Sequence, residues 1–256
     1  MRLGFIGTGA ITEAMIEGFV TVGGFADPIM VSERSKERSA RLAARHENIT
    51  VSPDNQAIVD GSDWVFLAPL PVQAIEVASA LTFRADQRII SAVAGIRLET
   101  WAPVLAPATD IHRVVPLPPI ERGLGPTAIC PPDPGVEALF ASTGTAVAVD
   151  DERQFQALAV ATSLMACFFE TVATSANWLE NEGVPDAQAA AYASSMFQAL
   201  ASLATQEDAA GLRTMADDCL TAGGVNEQVL YELREAGWFD TYRKRLDRIM
   251  ERFDGA

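Results

Sequence analysis

The chain is short of the residues that build metal and nucleophilic sites. Its 256 residues include three cysteines and two histidines. Cys130, Cys167 and Cys219 are odd in number and far apart, which excludes a disulfide framework and a thiolate ligand set. They read as reduced thiols of a cytoplasmic protein, buried as small apolar side chains. His46 and His112 stand alone, which argues against a His/Cys metal site. No Ser/His/Asp arrangement points to a hydrolase. Positive charge is also scarce: 19 Lys and Arg face 34 Asp and Glu, a net charge of −15. Such a surface repels nucleic acid and anionic membrane, so neither is an expected partner. No secretory leader pattern is visible, because a glycine turn interrupts the apolar start "LGFIG". One long apolar stretch, residues 155–179, contains Glu170, Asn177 and several Ser and Thr. It is expected to be a buried helix and not a membrane span.

What the chain does have is an alternation of short apolar runs and amphipathic stretches over its first part. "RLGFIG" (residues 2–7), "PIMVS" (28–32), "DWVFLAP" (63–69), "RIISAVAG" (88–95) and "DIHRVVP" (110–116) read as strands. Helices are expected over residues 10–20, 35–46, 72–81 and 98–105. This order predicts an α/β fold with a Rossmann-type, doubly wound parallel sheet. "PLPPIERGLGP" and "CPPDPG" mark loops, and "GTAVAVD" (144–150) fits a last strand. From residue 151 the character changes. One long helix is expected from a cap at Asp150 or Asp151 to a stop at Gly183, then a helix with Pro185 in its first turn, then two or three more. The expected domains are residues 1–150 and 151–256, the second all-helical. Its first helix is apolar or small around most of its circumference, so it needs cover on all sides. A second subunit could supply that cover, making an obligate dimer; a central place in a monomeric bundle is the alternative.

The glycine turn carries the chemistry. Gly7-Thr8-Gly9-Ala10-Ile11 lies between a strand and a helix. Gly7 permits the tight turn, Gly9 lets backbone approach a pyrophosphate, and the helix start aims free N–H groups at that anion. Thr12 stands where the pattern usually has Gly or Ala. The context predicts a bound dinucleotide. At the end of the second strand, Ser32, Glu33, Arg34 and Ser35 carry both signals. Glu33 would accept from the ribose of NAD; Arg34 with Ser32, Ser35 and Lys36 would clamp the 2′-phosphate of NADP. The donor count favours NADP and leaves NAD open. Leu67, Ala68 and Pro69 are expected along the cofactor ribose. Ala94 and Gly95, at another strand end, are expected close to the nicotinamide.

Several segments in order resemble the pyrroline-5-carboxylate reductase family over nearly the full length. They are "IGTGAITEAMIEGF", "SDWVFLAPLPVQAIEV", "IISAVAGIRLETW", "HRVVPLPPIERGLGPTAI" and "TAGGVNEQVLYELREAGW". The resemblance implies a Rossmann domain, a dimer-forming helical domain and hydride transfer from NAD(P)H to a small cyclic imine, giving L-proline. It also implies that backbone N–H and hydroxyl donors hold the substrate carboxylate.

Departures from the family pattern cluster at that pocket. Its lysine after the fourth strand is Leu70 here. The asparagine after the fifth segment's proline is Leu117. The S-G-S-G-P-A-Y run corresponds to "ATSLMAC" (161–167), which keeps Ser163, and the paired threonines correspond to Val225 and Asn226. The candidate substrate contacts are therefore Gly223, Gly224, Asn226 and Ser163. Each also has a structural reading: a helix stop, a helix cap, or a serine bonded to its own helix. A reductase of another imine or carbonyl compound, and a non-catalytic dinucleotide-binding protein, remain alternatives.

Overall fold

The computed structural model describes residues 1–254. The chain divides into two compact units, Met1–Ala159 and Val160–Ala256. In the first unit the order is β1 (Leu3–Ile6), α1 (Ala10–Glu17), β2 (Ile29–Ser32), α2 (Lys36–Arg45), β3 (Ile49–Ser52), α3 (Asn55–Gly61), β4 (Trp64–Leu67), α4 (Pro71–Ser79), β5 (Arg88–Ser91), α5 (Leu98–Leu105), β6 (Asp110–Pro116), β7 (Pro126–Cys130), α6 (Pro134–Ala141) and β8 (Thr145–Ala148). The helix α7 (Glu152–Ala161) follows and spans the division between the units. The eight strands form one sheet in the order β3-β2-β1-β4-β5-β6-β7-β8. The chain starts in the middle, winds to one edge, then crosses back over β1 to β4. That reversal makes a crevice at the carboxyl ends of β1 and β4, where open α/β sheets bind ligands.

The first six strands are parallel, as the alternation of strands and helices predicts for the five of them expected from sequence. The last two depart from it: β7 runs antiparallel to β6, and β8 runs parallel to β7. The cause is the connection. Residues 118–122 form a single 3-10 turn that ends at Gly123 with φ of 72°, too short for a crossover helix. β3, α3, β7 and α6 are additions to the elements expected from sequence. For α3 the local signal is clear in hindsight, because the Asp54 carboxylate accepts from the Gln56 N–H at 2.9 Å.

Alternating side chains along each strand feed two cores, one per face. Phe5 and Phe66 stack at 4.4 Å between ring centroids, and Phe19 meets Phe140 edge-on at 5.4 Å on the same face. Ile6, Val65, Leu67 and the fully buried Trp101 pack on the other. Both faces are thus covered, which a parallel sheet requires.

The second unit is helical: α8 (Met165–Asn181), α9 (Asp186–Ala204), α10 (Ala209–Asp218), α11 (Val225–Glu235) and α12 (Trp238–Asp254). The single long helix expected from residue 151 is broken by a 3-10 turn at Thr162–Leu164, between α7 and α8. Its ends are as expected: Asp151 accepts from the N–H groups of Arg153 and Gln154, and Gly183 stops it at φ of 90°. The expectation that it is buried fails within the chain. In α8 only Ala176 is buried, while Phe169 is 68% and Trp178 61% exposed. Residues 152–181 are long and apolar enough to cross a membrane by length and composition. Small residues explain what packing there is: Ala189 and Ala193 of α9 are fully buried and let another backbone come close. Two cysteines also depart from expectation, since Cys167 and Cys219 are exposed and only Cys130 is buried.

Candidate cofactor site and substrate-binding turn

The glycine turn is fastened from below. The Ser32 hydroxyl accepts from the Gly7 N–H at 2.9 Å, and the Thr8 hydroxyl donates to the Ser32 carbonyl at 2.6 Å. Thr12 donates to the Gly7 carbonyl at 2.7 Å. So Thr12 closes the turn with its side chain, where the usual pattern packs a small residue. Ser32 is buried in this network. Its hydroxyl holds the loop, and the residue also lines the cleft beside the turn.

Two glycines of the turn differ in what demands them. Gly7 has φ of 98°, and a Cβ there would lie 2.6 Å from the Ala68 carbonyl oxygen. The fold itself requires a glycine at that point, because β1 and β4 approach so closely. Gly9 has ordinary φ, and a Cβ there would meet nothing within 4 Å. Nothing in the chain demands a glycine at Gly9; a ligand pressed on that backbone would. Gly9 is also the cap position of α1, which has no side-chain cap, so the N–H groups of Ala10 and Ile11 open onto the same space. The acid in that first turn, Glu13, is held by Arg38 at 3.1 Å and Arg41 at 2.6 Å. Its charge is thereby compensated beside the anion position.

A cleft of about 400 Å³ continues from this turn. Gly7, Ser32, Glu33, Arg34, Lys36 and Pro69 line it, joined by Pro53 and Asn55 from the start of α3, which the sequence reading had not singled out. Glu33 is paired with Lys36 at 3.8 Å. Arg34 is exposed, and its Nη2 donates to the Gln73 side-chain oxygen on α4. The expectation for Leu67 is corrected: its side chain is fully buried in the core. Ala68 acts through its carbonyl against Gly7, and Pro69 reaches the cleft. Ala94 and Gly95 are exposed on the turn after β5, with Gly95 at φ of 79°.

Next to that turn sits a buried cation. Arg113 on β6 is 3% exposed and donates to Glu152 of α7 at 2.8 Å. Its guanidinium also lies 4.5 Å from the Phe155 ring centroid. The same carboxylate oxygen of Glu152 accepts from the Leu98 N–H at 2.9 Å. Glu152 therefore ties the start of α5, which follows the Ala94–Gly95 turn, to α7. Burial pushes the nearby Cys130 thiol up to about 11, with Glu152 adding to the shift, so it stays protonated.

In the helical unit the candidate substrate residues sit on two elements. Ser163 lies exposed in the 3-10 break, not within a regular helix. Gly223, Gly224 and Asn226 form the turn into α11. Gly223, at φ of 72°, donates its N–H to the Glu227 carboxylate at 2.7 Å. Gly224 donates to the Thr221 carbonyl at 2.7 Å. Asn226 donates from its side chain to the Cys219 carbonyl at 3.2 Å. These three donors are engaged within the turn itself.

Comparison with known proteins fits both units. Residues 2–95 match the family described as NADP oxidoreductase, coenzyme F420-dependent. Residues 152–255 match pyrroline-5-carboxylate reductase dimerisation. The pyrroline-5-carboxylate reductase of Methanosarcina acetivorans is 27% identical, over 98% of this chain and 96% of its own. That of Haemophilus influenzae is 26% identical, over 89% and 87%. Among solved structures, 1-pyrroline-5-carboxylate reductase from Streptococcus pyogenes superposes with a TM-score of 0.84 at 23% identity, covering 100% of this chain and 99% of the other. The Plasmodium falciparum pyrroline carboxylate reductase with NADP bound gives 0.85 at 15% identity, covering 100% and 97%. The match runs through both units in order and end to end. Over both units the chain is similar to the pyrroline-5-carboxylate reductases.

Proposed function

We infer that this protein reduces 1-pyrroline-5-carboxylate to L-proline with NADPH. The observation that carries the reading is Gly9: an unforced glycine at an uncapped helix start, beside a cleft lined by Arg34 and Lys36. The residues fit the cofactor. The N–H groups at the start of α1 would receive the pyrophosphate, and Arg34, Ser35 and Lys36 the 2′-phosphate. NAD(P)H supplies the hydride when bound. What this chain supplies is placement. The turn at Ala94 and Gly95 carries no bulky side chain, which leaves room for a flat ring and an imine carbon against it. Residues 1–150 hold the cofactor. Residues 151–256 pair two copies and carry the candidate substrate contacts Gly223, Gly224, Asn226 and Ser163. A homodimer or higher homo-oligomer accounts for the exposed apolar face of α8. Free cysteines suit a cytoplasmic setting.

Purified protein should oxidise NADPH only when pyrroline-5-carboxylate is added, and should release L-proline. Cofactor binding without turnover of this imine would overturn the assignment. One observation favours a second reading. The Glu227 carboxylate already occupies the Gly223 N–H, and Val225 beside it is 78% exposed where the family carries a threonine. A carboxylate there repels a carboxylate substrate. If activity appears only with uncharged cyclic imines, and Glu227→Gln gains activity on pyrroline-5-carboxylate, the substrate is the uncharged class.

A further inference from the structure

We propose that Gln73 is a positioning residue that selects NADPH, by holding the Arg34 guanidinium over the cleft. The inference rests on the NADP reading of the site. Arg34 stands on the turn between β2 and α2; Gln73 stands in the first turns of α4, on the other side of the switch point. Their side chains bond across this interval, the Arg34 Nη2 donating to the Gln73 amide oxygen. The cleft lies between the same two elements, with Arg34 and Lys36 on one wall and Pro69 and Val77 on the other.

Three facts make this contact more than a surface pair. First, the protein carries −15 overall, so a dianionic phosphate monoester meets a repulsive field and depends on local cations. Second, the local cations are few. Lys36 is drawn toward Glu33 at 3.8 Å, which leaves Arg34 as the cleft-lining cation not paired to an acid. Third, a neutral amide is the partner that fixes a guanidinium without cancelling its charge. One Nη2 hydrogen goes to Gln73; the other donors of the planar fork remain for a phosphate. Fixing a rotamer-rich side chain before the ligand arrives lowers the entropy lost on binding. NADH has no phosphate at that position, so it gains nothing from a fixed Arg34.

The test is calorimetric titration of wild type, Gln73→Leu and Gln73→Met with NADPH and with NADH, on protein whose thermal transition is checked first. Both variants should bind NADPH about three- to tenfold more weakly, the scale of one freed long side chain. NADH binding should stay within a factor of about two of wild type. Arg34→Ala should lose the NADPH preference, and Gln73→Leu added to it should change nothing further. Equal losses for both nucleotides, unchanged NADPH binding, or tighter NADPH binding in the Gln73 variants each overturn the role of Gln73. A wild type that binds NADH as tightly as NADPH fails differently, since it removes the cofactor reading on which the proposal stands.

Discussion

Replacing Gly9 by alanine separates a glycine kept for the fold from one kept for a ligand. Gly9 has φ of −84° and ψ of −175°, which alanine adopts freely. An added Cβ has no neighbour within 4 Å. Alanine at a helix cap costs roughly 0.5–1 kcal/mol against glycine. The stiffer unfolded chain returns about 0.4–1 kcal/mol. The net change is within about 0.5 kcal/mol, or a melting shift under ~2 °C. Binding should respond quite differently. The new methyl group stands between the pyrophosphate and the N–H groups of the turn. Charge-assisted hydrogen bonds are worth about 1.5–3 kcal/mol each, so losing two weakens NADPH by at least ~100-fold. Gly7→Ala is the control. At φ of 98°, with its Cβ 2.6 Å from a backbone oxygen, it should destabilise by about 2–3 kcal/mol and lower the melting temperature by ~4–10 °C. Circular dichroism melting and calorimetric titration give both readouts. If Gly9→Ala melts like wild type and binds NADPH within threefold of it, the pyrophosphate does not sit where the turn places it.

Three further outcomes are expected. Glu152→Ala leaves the buried Arg113 guanidinium without its carboxylate; the variant should lose about 3 kcal/mol, and adding Arg113→Met should recover most of it in denaturant titration. Additive losses in the double variant would mean the pair is not an uncompensated-charge problem. Asp110 is held below its usual carboxylate range: burial opposes this, but hydrogen bonds from Arg88 and His112 outweigh it. A lowered folded value gives stability that is fully present above about pH 4 and lost as pH falls through the folded value, so Asp110→Asn should destabilise at pH 7 and progressively less as pH falls below about 4. Charge introduced on the exposed face of α8, with Phe169→Arg and Trp178→Arg together, should turn an oligomer into a monomer by light scattering; an unchanged mass would place the subunit contact elsewhere.

β1, β2, β4, β5 and β6 are readable because each is a short apolar run ended by a turn residue. α5 and β6 fall where the pattern puts them, at Leu98–Leu105 and Asp110–Pro116. The unforeseen elements are those where the local code is thin. β3 is four residues long and half polar in sequence, ITVS, so alternation had little to work on. β7 hides behind proline and glycine that mark a loop, and its antiparallel direction depends on the length of that loop. At the site, Gly7 and Gly9 look alike in sequence and differ only in three dimensions. Leu67 departs from expectation for a related reason. A strand end offers its side chains alternately to core and crevice, and a one-residue question decides between them.

The helical unit teaches the reverse lesson. An α8 apolar on most sides signals full burial, yet within the chain that burial is missing. The pattern reports the environment in which the helix functions, and a single chain is only part of it. Exposed Phe168, Phe169 and Trp178 would cost several kcal/mol of unsatisfied burial in water, at about 25 cal/mol per Å² of apolar surface. A unit of this size cannot cover them by rearranging its own helices without opening another apolar face. The match of residues 152–255 to a dimerisation family supports cover by another copy of this chain. The role proposed for the turn at Gly223, Gly224 and Asn226 in this unit then depends on the assembled oligomer. A monomeric variant should therefore keep its cofactor affinity, set by Gly9 and Arg34 in the first unit, and lose turnover.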